Sequence, residues 1–183
     1  LQKVKIELKK PWAPIGLPLE TVSVEIERGW HTAYIALGSN MGDKEKYLNM
    51  ALDQLEDNPK NHLITKASFI HTEPYGGVEQ DSFLNSICKM ETLYSPYDLL
   101  AELHRIEQLA DRKREIHWGQ RTLDLDIIYY DDLVMAEDDL IIPHVDMQNR
   151  DFVLKPLLDL CPNKRHPVLG LTMTQLYERL EER

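Results

Sequence analysis

From residue 31 onward the apolar positions switch between strand and helix periods. Ala33-Tyr34-Ile35-Ala36-Leu37 is a mostly apolar run closed by Gly38, which predicts a buried strand. Asp43 is placed to cap a helix over residues 44–56, with Leu48, Leu52 and Leu55 on one side. Residues 64–70 and 83–91 predict strands. Between them, residues 72–81 hold Pro74, Gly76 and Gly77 and predict a loop. Ser95-Pro96-Tyr97-Asp98 opens a helix to about residue 111, with Leu99, Leu103, Ile106 and Leu109 inward. A strand over residues 122–130 follows, then a turn at Asp131-Asp132. Residues 152–160 predict a helix with Pro156 in its first turn, and Thr172 to Gln175 form a capping box for a last helix.

The order is βαββαβ followed by extra C-terminal helices. It predicts an α+β, ferredoxin-like sandwich: an antiparallel sheet with helices on one face. Residues 4–8 and 21–28 also alternate, joined through Pro11, Pro14, Gly16 and Pro18. Two strands do not make a stable domain. Residues 1–30 should therefore either pair with something absent or lie on the rest, residues 31–183.

The strand near residue 124 carries the chemistry. In Thr122-Leu123-Asp124-Leu125-Asp126-Ile127, the leucines and Ile127 share one face, and Asp124 and Asp126 share the other. Two carboxylates about 7 Å apart along a strand repel unless solvated or bridged by a cation. Magnesium suits them, because it takes one or two carboxylates and completes its shell with water and substrate phosphates. Just upstream, Arg112, Lys113, Arg114 and Arg121 flank Trp118-Gly119 in an otherwise acidic chain. Such a run is most often a solvated loop; beside a metal site it suits polyphosphate. Trp118 is either a core anchor or an apolar flap on a mobile loop.

Two further polar groups stand out. Phe83 is either strand core or a stacking plate, and Asn85 on the same strand face offers a donor and an acceptor to a ring edge. His144 is either a structural histidine or, with Arg150 six residues on, a phosphate ligand. Gly38-Ser39-Asn40-Met41-Gly42 lacks the spacing of either nucleotide-binding glycine motif and reads as a strand-to-helix turn. Neither cysteine has an evident histidine partner by sequence, so nucleophilic catalysis has little support.

Net charge is −10, which argues against generic nucleic-acid or anionic-membrane binding. No run is long and apolar enough to span a bilayer as a helix. Two cysteines and no export leader fit a cytoplasmic location. The first residue is Leu1, which fits a piece of a longer polypeptide.

AYIALGSN (33–40), Thr72 to Gly76, Phe83-Leu84-Asn85, Arg105-Ile106-Glu107, WGQRTLDLD (118–126) and the segment from Pro143 to Phe152 fall in order along the chain. Together they resemble the 6-hydroxymethyl-7,8-dihydropterin pyrophosphokinases of folate synthesis. The resemblance implies a ferredoxin-like fold and transfer of pyrophosphate from ATP to the pterin hydroxymethyl group, with release of AMP. It implies that Asp124 and Asp126 hold two Mg²⁺ ions and that Arg112 and Arg121 pair with phosphate charge. Glu107, Arg114, His144 and Arg150 would bind ATP, with His104 on the same side. Thr72, Pro74, Tyr75 and Asn85 would contact the pterin, and Phe83 and Phe152 would sandwich it. Trp118 would sit on a lid. Residues 9–14 and 21–28 resemble the closing strands of dihydroneopterin aldolase, which implies fusion to that enzyme. A ferredoxin-like binding module and another two-metal nucleotide transferase are the rival readings.

Overall fold

Alternation and turn chemistry produce most of the elements where the sequence puts them. The computed structural model describes residues 2–7, 21–26, 28–73, 82–111 and 122–183, the first two segments as backbone only. Strands β1 (Gln2–Glu7) and β2 (Thr21–Ile26) form an antiparallel pair of their own. The main sheet starts with β3 (His31–Ser39). Helix α1 (Lys44–Asp57) follows, capped by Asp43, whose carboxylate accepts from the Lys46 N–H at 3.2 Å. Next come β4 (Asn61–Lys66), β5 (Ile70–Thr72) and β6 (Phe83–Thr92). Helix α2 (Pro96–Asp111) opens with the Asp98 N–H donating to Ser95 Oγ at 3.3 Å. Strand β7 (Asp124–Tyr130), the short pair β8 (Met135–Ala136) and β9 (Ile141–Ile142), and helices α3 (Asp151–Leu160) and α4 (Met173–Glu181) complete the chain. The capping box at Thr172 and Gln175 is present in full.

The sheet order is β4-β6-β3-β7, antiparallel throughout, with β5 also on β6. This is the ferredoxin-like order, with the first strand of the motif inside the sheet and the last at its edge. The expected fold class is therefore the observed one.

One face of the sheet packs on α1 and α2. Ala33, Ile35, Leu37, Leu125 and Ile127 meet Leu48, Leu55, Leu99, Leu103 and Ile106, all at most 4% exposed. Full burial of each such large aliphatic side chain stabilises the fold by about 1.5–3 kcal/mol.

Several expectations need correction. Helices do not lie on one face alone: α3 and α4 build a second core on the other side, with Tyr34, Ile87, Ile128 and Tyr129. Residues 64–70 are not one strand but the end of β4 and the start of β5. The break falls where Ala67 turns inward to full burial and its N–H bonds the Ile87 carbonyl at 2.9 Å. Ala110, not Leu109, completes the buried stripe of α2. Pro156 lies inside α3 rather than in its first turn, because the helix starts at Asp151.

Strand β7 also departs from strict alternation. Its register against β3 shifts between Tyr34 and Ile35, so that Ile127 pairs Ile35 and Tyr129 pairs Tyr34. Ile128 is the extra residue of a β-bulge. The bulge swaps the faces beyond it: Asp126 and Tyr129 share one side, Ile127 and Tyr130 the other. Tyr130 accordingly belongs to the α1/α2 core and Tyr129 to the α3/α4 core.

Candidate active site

Two cross-strand rows organise the face that α3 only partly covers. In one, Asp124 of β7 pairs with Gly38 of β3, which pairs with Asn85 of β6. In the next, Asp126 pairs with Ala36, which pairs with Ile87. Directly paired residues point to one side of a sheet. The aspartates and Asn85 therefore rise from one face, separated by two small side chains of β3. Gly38 and Ala36 form a floor between them.

Gly38 is required here for its missing side chain. A Cβ at this position would lie 2.9 Å from Asn85 Oδ1. The turn reading of this glycine is corrected: Gly38 lies within β3, and Gly42, at φ +66°, is the glycine that turns the chain toward α1. Asn85 is held by a second contact. Its Nδ2 donates to Thr72 Oγ1 at 2.6 Å, which aims Oδ1 over Gly38. Phe83 shares the Asn85 face, two residues earlier on β6, and pairs with Thr72. Among the described residues it is half-buried and belongs to neither core, which favours the stacking role over strand core.

The segment after β9 borders the same face. The His144 N–H donates to the carbonyl of the bulged Ile128 at 3.0 Å, so the bulge seats His144 beside β7. His144 Nδ1 accepts from the Asp146 N–H at 3.2 Å, which leaves the ring hydrogen on Nε2. Burial first, then the Arg150 charge, hold His144 below the usual histidine range, against the opposing pull of Asp146 and Asp124. His144 is thus a neutral donor near the Asp124 carboxylate. Arg150 bonds Asp146 at 3.1 Å and stands 5.7 Å from the Phe152 ring centroid. The Asn149 amide, and with it Arg150, lowers the Asp146 carboxyl from the ordinary aspartate value against the opposing effect of burial. Phe152 packs against the α3/α4 core, as does Ala36. It therefore lies on the aspartates' side of the sheet.

Sequence reasoning missed Asp146. Its spacing to Arg150, one helical turn, was the available signal.

Glu107 lies on α2, and its Oε2 accepts from the Leu125 N–H, between the two aspartates, at 3.1 Å. His104 is exposed one turn earlier on α2, which packs on the opposite face of the sheet. Pro74, Tyr75, Arg112, Arg114, Trp118 and Arg121 lie outside the described residues.

The donor set fits magnesium. Among the described residues no group of three His, Cys, Asp or Glu side chains could enclose an ion. Two carboxylates on one strand face match the one or two carboxylates that a protein-bound Mg²⁺ takes.

Residues 34–162 match the family model described as 7,8-dihydro-6-hydroxymethylpterin-pyrophosphokinase. A Haemophilus influenzae protein named 2-amino-4-hydroxy-6-hydroxymethyldihydropteridine pyrophosphokinase is 44% identical over 129 residues, covering 70% of this chain and 81% of that protein. The bifunctional protein FolKE of Lactococcus lactis subsp. lactis is 46% identical over 129 residues, 70% of this chain but 37% of its own length. The chain thus spans well under half of the bifunctional relatives it matches. The crystal structure of Plasmodium falciparum HPPK-DHPS with pteroate superposes with TM-score 0.70 at 16% identity, over 87% of this chain and 44% of that one. That likeness concerns the fold. The family match and the Haemophilus relative together place this chain in the 7,8-dihydro-6-hydroxymethylpterin-pyrophosphokinase family.

Proposed function

We propose that this chain transfers pyrophosphate from ATP to the hydroxymethyl group of 6-hydroxymethyl-7,8-dihydropterin, releasing AMP. The observation that carries this reading is the row Asn85–Gly38–Asp124. An amide able to read a ring edge stands about 10 Å, two strand spacings, from a carboxylate able to hold a metal–phosphate group. A two-ring heterocycle with a one-carbon arm spans that gap.

Each side chain then has a task. Asn85, fixed by Thr72, offers Oδ1 and its second N–H to the pterin edge. Phe83 and Phe152 stack on the ring from the sheet and from α3. His144 donates Nε2–H to a phosphate oxygen, and Arg150 adds charge. Asp124 and Asp126 hold two Mg²⁺ ions, which when bound screen the ATP charge and acidify the pterin hydroxyl. The hydroxyl oxygen bonds to the β-phosphorus, and the bond from that phosphorus to the α–β bridging oxygen breaks. AMP leaves with that oxygen, and the hydroxyl proton passes to solvent or to Asp126. Pro74 and Tyr75 complete the pterin contacts. Arg112, Arg114, Trp118 and Arg121 supply the phosphate clamp and lid.

The pair β1–β2 is assigned to a dihydroneopterin aldolase-like domain, with residues 31–183 as the pyrophosphokinase domain. The name of the bifunctional Lactococcus relative supports fusion of this domain to a second enzyme. Cys88 and Cys161 are both free thiols, in keeping with a reducing cytoplasm.

The test is product identity. Incubated with ATP, Mg²⁺ and the pterin alcohol, the chain should form AMP and the pterin diphosphate in equal amounts. ADP would mean transfer of a single phosphoryl group, and no nucleotide product would mean a binding module; either result overturns the proposal.

A further inference from the structure

We infer that Glu107 is a positioning residue for the aspartate pair, holding β7 in the register that keeps Asp124 and Asp126 on one face. The inference rests on the metal-binding role proposed for those two carboxylates. Among the described residues, strand β7 is the edge of the sheet, paired on one side with β3. Edge strands carry a row of outward N–H and C=O groups that no ladder satisfies. The outward N–H at Leu125 is taken by Glu107 Oε2 at 3.1 Å, across from α2. In an antiparallel ladder inward and outward residues alternate. With Leu125 outward, Asp124 and Asp126 turn their backbone groups inward to Gly38 and Ala36. Glu107 thus fixes the residue between the aspartates while β3 fixes the aspartates themselves.

This pin matters because β7 already contains a bulge at Ile128, two residues beyond Asp126. A bulge inverts the facing of everything past it. If it moved toward the start of the strand, to Leu125, Asp126 would swing to the α1/α2 core and the pair would be split. A slip of one residue does the same to both. The Leu125 side chain, 3% exposed in the α1/α2 core, resists such a move from below; Glu107 resists it from the edge. A direct role as a metal ligand is not needed, since this carboxylate oxygen is turned to the strand backbone.

The experiment compares Glu107→Ala with Glu107→Gln, the latter keeping a side-chain acceptor oxygen. Three quantities are read on the full chain: amide hydrogen exchange along β7 without ligand, Mn²⁺ affinity without nucleotide, and affinity for a non-hydrolysable ATP analogue with and without Mg²⁺. Thermal melts confirm that each variant is folded. Loss of one ordinary hydrogen bond corresponds to about tenfold, so E107A should speed exchange at Leu125 and weaken Mn²⁺ by roughly that factor. E107Q should retain both. Affinity for the metal-free analogue should hold in E107A while the Mg²⁺ complex weakens. Unchanged Leu125 exchange in E107A would overturn the inference. So would an E107Q defect as large as that of E107A, or equal loss of metal-free and metal-bound nucleotide. Failure of the proposed reaction is distinguishable: the wild-type chain would release no AMP, yet the exchange and Mn²⁺ shifts would still appear.

Discussion

Asn85 and Asp124 stand on opposite sides of Gly38 in one cross-strand row, so the proposed heterocycle contact and the proposed metal contact share a single floor residue. Gly38→Ala tests that floor. Its backbone needs no positive φ, so the substitution acts through the added methyl, 2.9 Å from Asn85 Oδ1. Overpacking of this kind costs about 1–3 kcal/mol, which here falls on the Asn85 rotamer and its bond to Thr72. Pterin-analogue affinity by calorimetry should drop by roughly tenfold or more, with ATP-analogue affinity little changed. Equal loss for both ligands would show that the floor is not specific to the pterin side.

Asp126→Ala removes one of two carboxylates proposed to hold the metal ions. Removal of a preorganised electrostatic group costs about 10²-fold or more in turnover. AMP formation at saturating Mg²⁺ should fall by at least that factor, while the melting temperature stays close to the parent, because Asp126 is only half-buried. Near-parental turnover would remove Asp126 from the site.

Much of this site could be read from the chain because its key residues obey strand parity. Asp124 and Asp126 share a face by spacing, and so do Phe83 and Asn85. Parity cannot tell which strand lies beside which. The meeting of Asp124 with Asn85 across Gly38 depends on the sheet order β4-β6-β3-β7, a matter of non-local pairing. The Ile128 bulge was hidden for a related reason. Ile127, Ile128, Tyr129 and Tyr130 are all large and apolar, so no polar residue marks where the facing reverses. Glu107 was legible as a residue of interest, yet its contact with the Leu125 N–H required the packing of α2 against β7. The helix caps, by contrast, are local chemistry. Asp43, Ser95 and Thr172 cap as their sequence context implies.

The cap at Thr172 offers a stability test away from the site. Thr172 Oγ1 accepts from the Gln175 N–H at 3.1 Å, and Gln175 Oε1 accepts from the Thr172 N–H at 2.9 Å. Thr172→Ala removes the first bond. Loss of such a cap costs about 1 kcal/mol, so urea unfolding should show a stability loss near that value with an unchanged slope. AMP formation should be unaffected. A loss below a few tenths would mean that the α3/α4 core holds this helix without its cap.

His166 gives the stability of the chain a defined pH dependence. It is 0% exposed, and its Nδ1 accepts from the Val168 and Leu169 N–H groups at 3.1 and 3.0 Å. Protonation there would set a third hydrogen against two donors. Burial, with the nearby Lys164 charge, lowers its pKa from 6.5 to about 4. The unfolded chain therefore binds a proton that the folded chain refuses between those values. Stability from this group is complete above pH 6.5 and falls as pH drops toward 4. The full effect is on the order of 3 kcal/mol. His166→Asn keeps an acceptor in the place of Nδ1 and does not titrate. Urea midpoints at about pH 7 and about pH 5 should separate strongly for the parent chain and much less for this variant. Equal separation in both would assign the acid sensitivity to other groups.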